Sequence, residues 1–435
     1  MHFLTEIDPR AAVAGSRDPL GLQPIWSALG REVVGNLTTV TTSVRGFTTL
    51  ILGLYFADEL VAAGGVPEAE RVSAFLRFEQ LAAYSRAQGS NGEEAGRILG
   101  ITRVRRALHP GKGVPIGVGG DEQIMSNQKV YGLWGLYSRA GMSSGLLDPT
   151  TRGVTQACRE HIEGRLLPAL RAEHSPALAE IRRYVVKGGT FRPRDGLGRA
   201  LGVVLGPTLQ RFERTFYARH LVLGAGGDDP TRGRQERLWG RIDALNAAGR
   251  CDWGAPFSAH ELDRLRDVCA QQGDDALLRP LTHIAVMEPL LVLAARIFGF
   301  VLVHVDGRVA DVAEAVARTL GDRLSVVDHE GVLGMRTEIA RASSGSAADL
   351  LAQMALDLAQ GDYVGFVERT LRLNALVMAA RGGAAWVEIR KGRLHVRLRS
   401  ERVALPSVSQ LPHLWENTYF LNSLKALGAE VMGRR

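Results

Sequence analysis

Residues 384–402 read AAWVEIRKGRLHVRLRSER. Val387 and Ile389 alternate with Glu388 and Arg390, the chain turns at residues 390–393, and Leu394, Val396 and Leu398 alternate with Arg393, His395, Arg397 and Arg399. Successive side chains of a strand point to opposite faces. The pattern therefore predicts a two-stranded hairpin with an aliphatic face for the core and a cationic comb on the other side. A comb of this kind is a binding surface and not a reaction centre. It follows a predicted helix that stops at Arg381-Gly382-Gly383, the order in which a winged-helix unit offers a basic wing to a phosphate backbone. The plainer reading is an exposed hairpin solvated by its own arginines.

Working outward, helix dominates. Residues 1–21 read as extended, and helices are expected at about 23–34, 44–63, 69–86, 93–99 and 123–139. The 44–63 run, VRGFTTLILGLYFADELVAA, is apolar enough for a central core helix, and Gly64-Gly65 stops it. Further helices are expected at 150–172, 176–186, 194–205 and 209–223 before a break at 226–230. Ser258-Ala-His-Glu261 is a capping box that opens a helix to Ala270. Residues 277–303 form a second apolar segment, ending as a strand over 298–304. A helix at 309–320, a short strand at 324–327, a linker at 343–346, helices at 347–360 and 364–381, the hairpin and a closing helix at 414–431 complete the chain. The expected class is mainly α, with a few short strands and a C-terminal winged-helix-like hairpin. Composition shifts divide it into 1–148 (with a glycine-rich loop at 110–121), 149–342 (with a basic segment at 181–220) and 343–435.

At 435 residues the chain exceeds one ordinary core, and its 46% hydrophobic and 23% charged residues are those of a folded protein. The Ala, Arg, Leu and Gly bias resembles GC-rich bacterial coding, which inflates arginine without function. The net charge of +7 is concentrated, however. Residues 181–220 hold nine Lys/Arg, among them Arg182, Arg183, Lys187, Arg192, Arg194 and Arg199, against Asp195 and Glu213. That surplus equals the whole net charge, and clustered positive charge draws phosphate polymers or acidic partners. A third cluster comprises Arg103, Arg105, Arg106, Lys112 and Lys129, near Tyr131, Trp134 and Tyr137.

Three cysteines, Cys158, Cys251 and Cys269, do not make a disulfide framework. The N-terminal MHFLTEIDPR lacks the apolar segment of a signal peptide. The longest apolar run contains Glu288, Pro289 and Arg296, so it reads as a buried helix and the chain as cytoplasmic, without a membrane partner.

Motifs for chemistry are absent. Gly111-Lys112-Gly113 lacks the leading glycine and the Ser/Thr of a phosphate loop, and Glu122 stands where a dinucleotide fingerprint needs its third glycine. Cys251, His260 and Cys269 lie nine apart, too far for the close pairs of structural zinc; Cys158 with His161 is half a site. Asp328-His329-Glu330 has no partner. No nucleophile elbow or metalloprotease motif occurs. Glu388 with Lys391 approaches the acid–lysine pattern of metal-dependent nucleases, at a spacing one residue too long.

The expectation is a non-catalytic nucleic-acid-binding or scaffolding subunit of a bacterial multiprotein system that handles DNA, with anti-phage defence as one setting. It needs no metal or cofactor, and partner subunits supply ATPase or nuclease activity. Its contacts would be Arg390, Lys391, Arg393, His395, Arg397, Arg399, Arg182, Arg183, Arg192, Arg194, Arg103, Arg105, Arg106 and Lys112. The rival classes are a protein–protein adaptor and a metal-dependent nuclease.

Overall fold

The computed structural model describes residues 2–4, 18–89, 96–109, 111–321, 324–400 and 403–433. The start of the helix expected at 93–99, Pro110 of the glycine-rich loop, the last two residues of the 384–402 stretch and residues 5–17 lie outside them. The chain is mainly helical, 63% helix and 5% strand. Its strands are β1 (His2–Leu4), β2 (Val114–Ile116), β3 (Gly189–Phe191), β4 (Val387–Arg390), β5 (Arg393–Val396) and β6 (Leu398–Ser400). They form three antiparallel pairs, β1–β6, β2–β3 and β4–β5. By contacts the chain falls into two units, Val34–Pro256 with Phe420–Arg435, and Met1–Val33 with Phe257–Tyr419. The divisions fall at other points than the composition shifts at 148 and 342.

In the first unit the Val44–Ala62 helix is buried along nearly its whole length, as a helix apolar all round must be. Against it packs the Arg71–Gly89 helix, which in turn supports β2 and the Ala177–Lys187 and Gly196–Val204 helices. Arg45 forms a buried ion pair with Glu213, whose other oxygen accepts the Gln210 N–H at 2.8 Å and caps the Arg211–Tyr217 helix. Two helices widen into π-turns at Ile162–Leu166 and Ala218–Val222. The second frees carbonyls that buried side chains then satisfy: Asn36 donates to His220 and Leu221, and Gln235 to Leu221 and Val222. The Arg234–Ala247 helix is an addition to the expected elements; it buries Leu238, Trp239, Ile242 and Leu245.

In the second unit the Asp275–Val301 helix accommodates both Pro280 and Pro289. It is long and apolar enough to cross a membrane, but 67% of its apolar window is buried inside the protein. Glu288, 2% exposed, accepts the backbone N–H groups of Glu416 (2.6 Å) and Asn417 (3.0 Å), the Asn417 amide (2.8 Å) and the Tyr419 hydroxyl (2.6 Å). Those bonds hold residues 416–419 in a loop, so the closing helix runs Leu421–Met432 and does not begin near Leu414. Residues 298–301 continue the helix and are not a strand, because their backbone keeps the helical ladder as far as the Leu302 cap. Residues 324–327 form a turn. Ser344 caps the Gly345–Gln360 helix by accepting the Ala347 N–H, so the expected linker is a helix start. The Ser258–Glu261 capping box and the Val309–Leu320 helix are present as read.

Candidate nucleic-acid interface

The basic residues of the first unit are placed by a buried glutamine hub. Gln80, on the Arg71–Gly89 helix, is fully buried; its Nε2 donates to the Gly117 carbonyl (2.7 Å) and to Gln128 Oε1 (3.0 Å), and its Oε1 accepts the Gly117 N–H (3.0 Å). Gln128, equally buried, donates to the Leu76 carbonyl (3.0 Å) and to Glu79 Oε2 (2.9 Å). Glu79 Oε1 accepts the Leu133 N–H at 2.7 Å, and burial pushes this carboxyl up to about 7. The end of β2, the short Gln128–Tyr131 helix and the start of the Leu133–Ser143 helix are thus tied to one turn of one helix. Gln123 extends the network, accepting the Gln128 N–H at its side chain and an Arg103 guanidinium N–H at its carbonyl (3.4 Å). Buried polar groups satisfied in this way rigidify what they join.

The glycine-rich loop closes on itself. Glu122 accepts the Gly119 N–H at 2.9 Å, and its carboxylate occupies the space that a side chain at Gly117 would fill. The backbone donor that a phosphate loop would offer is already taken by an internal anion.

Beyond Gly117 runs β2, whose partner β3 lies far away in sequence: Val114 stands opposite Phe191, and Ile116 opposite Gly189. Val114, Ile116 and Phe191 are buried, and the Tyr184 hydroxyl donates to the Thr190 carbonyl at 3.0 Å. A Cβ on Gly113 would collide with the Thr190 methyl and lie 3.5 Å from Arg192 Cγ, so the chain at Lys112 leaves the ribbon beside Arg192. This register brings the chain at Lys112, of one basic cluster, close to Arg192, of another. Lys112, Arg192, Arg194 and Lys187, which ends the Ala177–Lys187 helix, are exposed. So are Arg103, Arg105 and Arg106 on the Ile101–Ala107 helix, which packs on the same Arg71–Gly89 helix. Arg194 donates to Gln88 Oε1 at 3.2 Å. Among the described residues no carboxylate forms an ion pair with Arg103, Arg105, Arg106, Lys112, Lys187 or Arg192. Arg182 is different: it bridges to Glu59 at 2.7 Å. Arg183 lies over the Tyr184 ring, 4.4 Å from its centroid. Tyr131 is 53% exposed on the short helix beside Lys129, while Trp134 packs on Phe75 and Tyr137 is buried.

The hairpin forms over 387–396, with Val387 opposite Val396 and Arg390 opposite Arg393, but its second strand ends there: Leu398 and Arg399, expected to continue it, belong to β6, where they stand opposite Leu4 and Phe3 of β1. Lys391 and Gly392 both take positive φ (50° and 76°), the tight turn that matches strand twist. The comb is incomplete. Arg397 is buried at 6% exposure: it donates to the Ala385 carbonyl (2.7 Å) and pairs with Glu388 Oε1 (2.7 Å). The regular alternation fails here because the strand breaks at Arg397, where its N–H bonds the Trp386 carbonyl. Arg390 pairs with the other oxygen of Glu388 at 3.0 Å, and Arg393 donates to the Asp306 carbonyl at 2.7 Å. Residues 306–308 also bond Leu394 and close the outer edge of β5. His395 is half-buried; Lys391, Arg393 and Arg399 are exposed.

The remaining candidates are structural. Both oxygens of Glu388 are held by arginines. Burial pushes its carboxyl up, but the Arg397 and Arg390 bonds and charges outweigh that and hold it below the usual range. Among the described residues no group of His, Cys, Asp and Glu is arranged to hold a metal ion. The three cysteines are buried, and burial pushes the Cys158 thiol up to about 12. His161 stacks flat on Phe216 at 3.9 Å. Asp328 caps the His329–Gly334 helix by accepting the Gly331 N–H. No protein-family model, curated protein or solved structure matches the chain.

Proposed function

We propose that the chain is a non-catalytic nucleic-acid-binding subunit, a scaffold within a multiprotein DNA-handling system whose partners supply the chemistry. The observation that supports this reading is the β2–β3 register, which brings the chain at Lys112 close to Arg192, exposed members of two basic clusters. Cations without carboxylate partners are free to replace the counterions of a phosphate backbone, and that release drives sequence-independent binding. The hairpin is the accessory contact. Its order, helix Tyr363–Ala380 then ribbon, is that of a winged-helix unit, with Lys391 and Arg393 exposed on the ribbon and Arg399 exposed on the following strand β6. Bacterial origin and a defence setting belong to the same reading.

The test is retention of labelled duplex and single-stranded DNA by the purified full chain across a salt series, with and without magnesium. Tight binding that weakens steeply with salt, and no cleavage with magnesium, is the expected result. An absence of binding at low salt rejects the reading in favour of a protein–protein adaptor. Magnesium-dependent cleavage lost in Glu388→Ala makes the chain a nuclease instead.

A further inference from the structure

The β4–β5 sheet has two edges, and they differ. On β5, Leu394 donates its N–H to the Gly307 carbonyl and accepts the Asp306 N–H, both at 2.9 Å, so residues 306–308 cover that edge. Both Leu394 groups point away from β4, which makes Leu394 and Ile389 a non-hydrogen-bonded pair of the ladder. The Ile389 N–H and carbonyl therefore point to the outer side of β4, and among the described residues neither has a hydrogen-bond partner. Ile389 is also 43% exposed, high for a large aliphatic side chain. Val387 has the same orientation but is 2% exposed, out of reach of a second strand. An unpaired strand edge is a template for pairing with another chain, and here the accessible part is centred on one residue.

Beside this edge lies a cleft of about 630 Å³, with Leu371 and Ala375 of the Tyr363–Ala380 helix on one side and Val387 and Ile389 on the other. Its ions are matched within the chain: Arg369 pairs with Asp357 at 2.7 Å, and Glu388 pairs with Arg390 and Arg397. What the edge lacks is a strand, not a counter-ion. The order Glu388-Ile389-Arg390 is its own complement in an antiparallel pair. With Ile389 opposite Ile389 of a second copy, Glu388 of each chain stands opposite Arg390 of the other, and no like charges meet. A shift of one residue sets Glu388 opposite Glu388, which destabilises a pair, and requires the covered backbone of Val387.

We propose that two copies of the chain pair antiparallel through β4, about a two-fold axis at Ile389, and so join two hairpins into one four-stranded sheet. Two backbone hydrogen bonds form at Ile389, one in each direction. The two isoleucines meet on the cleft side, and the Glu388–Arg390 contacts cross the axis on the other face. Four strands are also a more stable sheet than two. The pairing does not rest on nucleic-acid binding. The edge is short, so association is expected to be weak, with a Kd of about 1–100 µM.

Sedimentation equilibrium of the full chain without nucleic acid, from about 1 to 300 µM, tests it and should show a monomer–dimer equilibrium in that range. Ile389→Lys sets two like charges at the axis, and Arg390→Glu sets carboxylates opposite each other. Each is expected to weaken the dimer about tenfold or more. A cross-link keeps the proposal testable where a charged variant fails to fold. Residues opposite each other in a hydrogen-bonded pair have Cα atoms about 5.5 Å apart, within disulfide reach. Ile389→Cys is therefore expected to give a covalent dimer on oxidation with diamide, while Val408→Cys, also exposed, is not; the three native cysteines are buried. The proposal is overturned if the chain stays monomeric throughout, if both charged variants dimerise as wild type does, or if Ile389→Cys cross-links no better than Val408→Cys. A monomer would leave this edge to a strand of another protein.

Discussion

The β4–β5 hairpin and the β2–β3 ribbon are both short antiparallel pairs flanked by arginine, yet their charges end differently. In the hairpin, turn and strands are contiguous, and the local sequence supplies its own counterion: Glu388 sits between Arg390 and Arg397, and Arg397 is buried. In the ribbon the strands come from 114–116 and 189–191, and the cations at its end, Lys112 and Arg192, face solvent without an ion pair to any carboxylate among the described residues. A conspicuous basic pattern can thus be spent on its own fold, while an inconspicuous one stays available to a partner. Exposure and pairing decide this, not the number of arginines.

The largest effect expected from breaking the comparison is at the hub. Gln128→Leu leaves Gln80, Glu79 and the Leu76 carbonyl buried and short of partners. At about 1 kcal/mol or more for each unsatisfied group, urea denaturation should show a loss of about 3 kcal/mol, with weaker DNA binding because the platform loosens. The hairpin lies in the other unit and should keep its native hydrogen-exchange protection.

The next effect is a contrast in pH dependence. The Glu79 carboxyl is raised to about 7 from an ordinary 4.5, so the folded chain holds its proton where the unfolded chain has released it. Its contribution to stability is present at low pH and is lost as pH rises from about 4.5 to about 7, a span of about 3 kcal/mol. Glu388 has the opposite sign: its depressed carboxyl stabilises above the ordinary range, and that contribution disappears as acid protonates the folded form. Denaturation of Glu79→Gln between pH 4.5 and 7.5 should lack the wild-type slope assigned to Glu79. Denaturation of Glu388→Gln should lose stability at pH 7 and little at low pH.

A smaller change is expected from Arg397→Ala, which leaves the Ala385 carbonyl and one Glu388 oxygen unpaired, at about 2 kcal/mol. Thermal melts should register it while the salt dependence of DNA binding stays put, since a buried arginine touches no phosphate. The smallest effect belongs to Lys391/Arg393/Arg399→Ala, which removes accessory charges and should flatten the salt slope by less than about one.

What was legible in the sequence was local. The hairpin followed from strict alternation around a tight turn, and Val44–Ala62 and Val309–Leu320 from apolar runs with clear stops. The capping box at Ser258 needed three residues of context. What stayed hidden depended on distant partners. The three-residue strands β2 and β3 are too short to show a period, and their flanking glycines read only as loop. Gln80 and Gln128 resemble solvent-facing polar residues until they are found buried against each other. The late start of the Leu421–Met432 helix is set by Glu288, more than a hundred residues upstream. The Arg234–Ala247 helix did leave a signal, Leu238, Ile242 and Leu245 at helical spacing, masked by dense charge.

The most direct test of the central claim compares two triple variants on one duplex, Lys112/Arg192/Arg194→Ala and Lys391/Arg393/Arg399→Ala, by the slope of log affinity against log salt. Each lost phosphate contact flattens that slope by about 0.9. The ribbon variant should flatten it by two units or more, and the hairpin variant by less than one. Equal slopes for the ribbon variant and wild type, or a larger loss from the hairpin, would contradict the assignment of the interface to β2–β3.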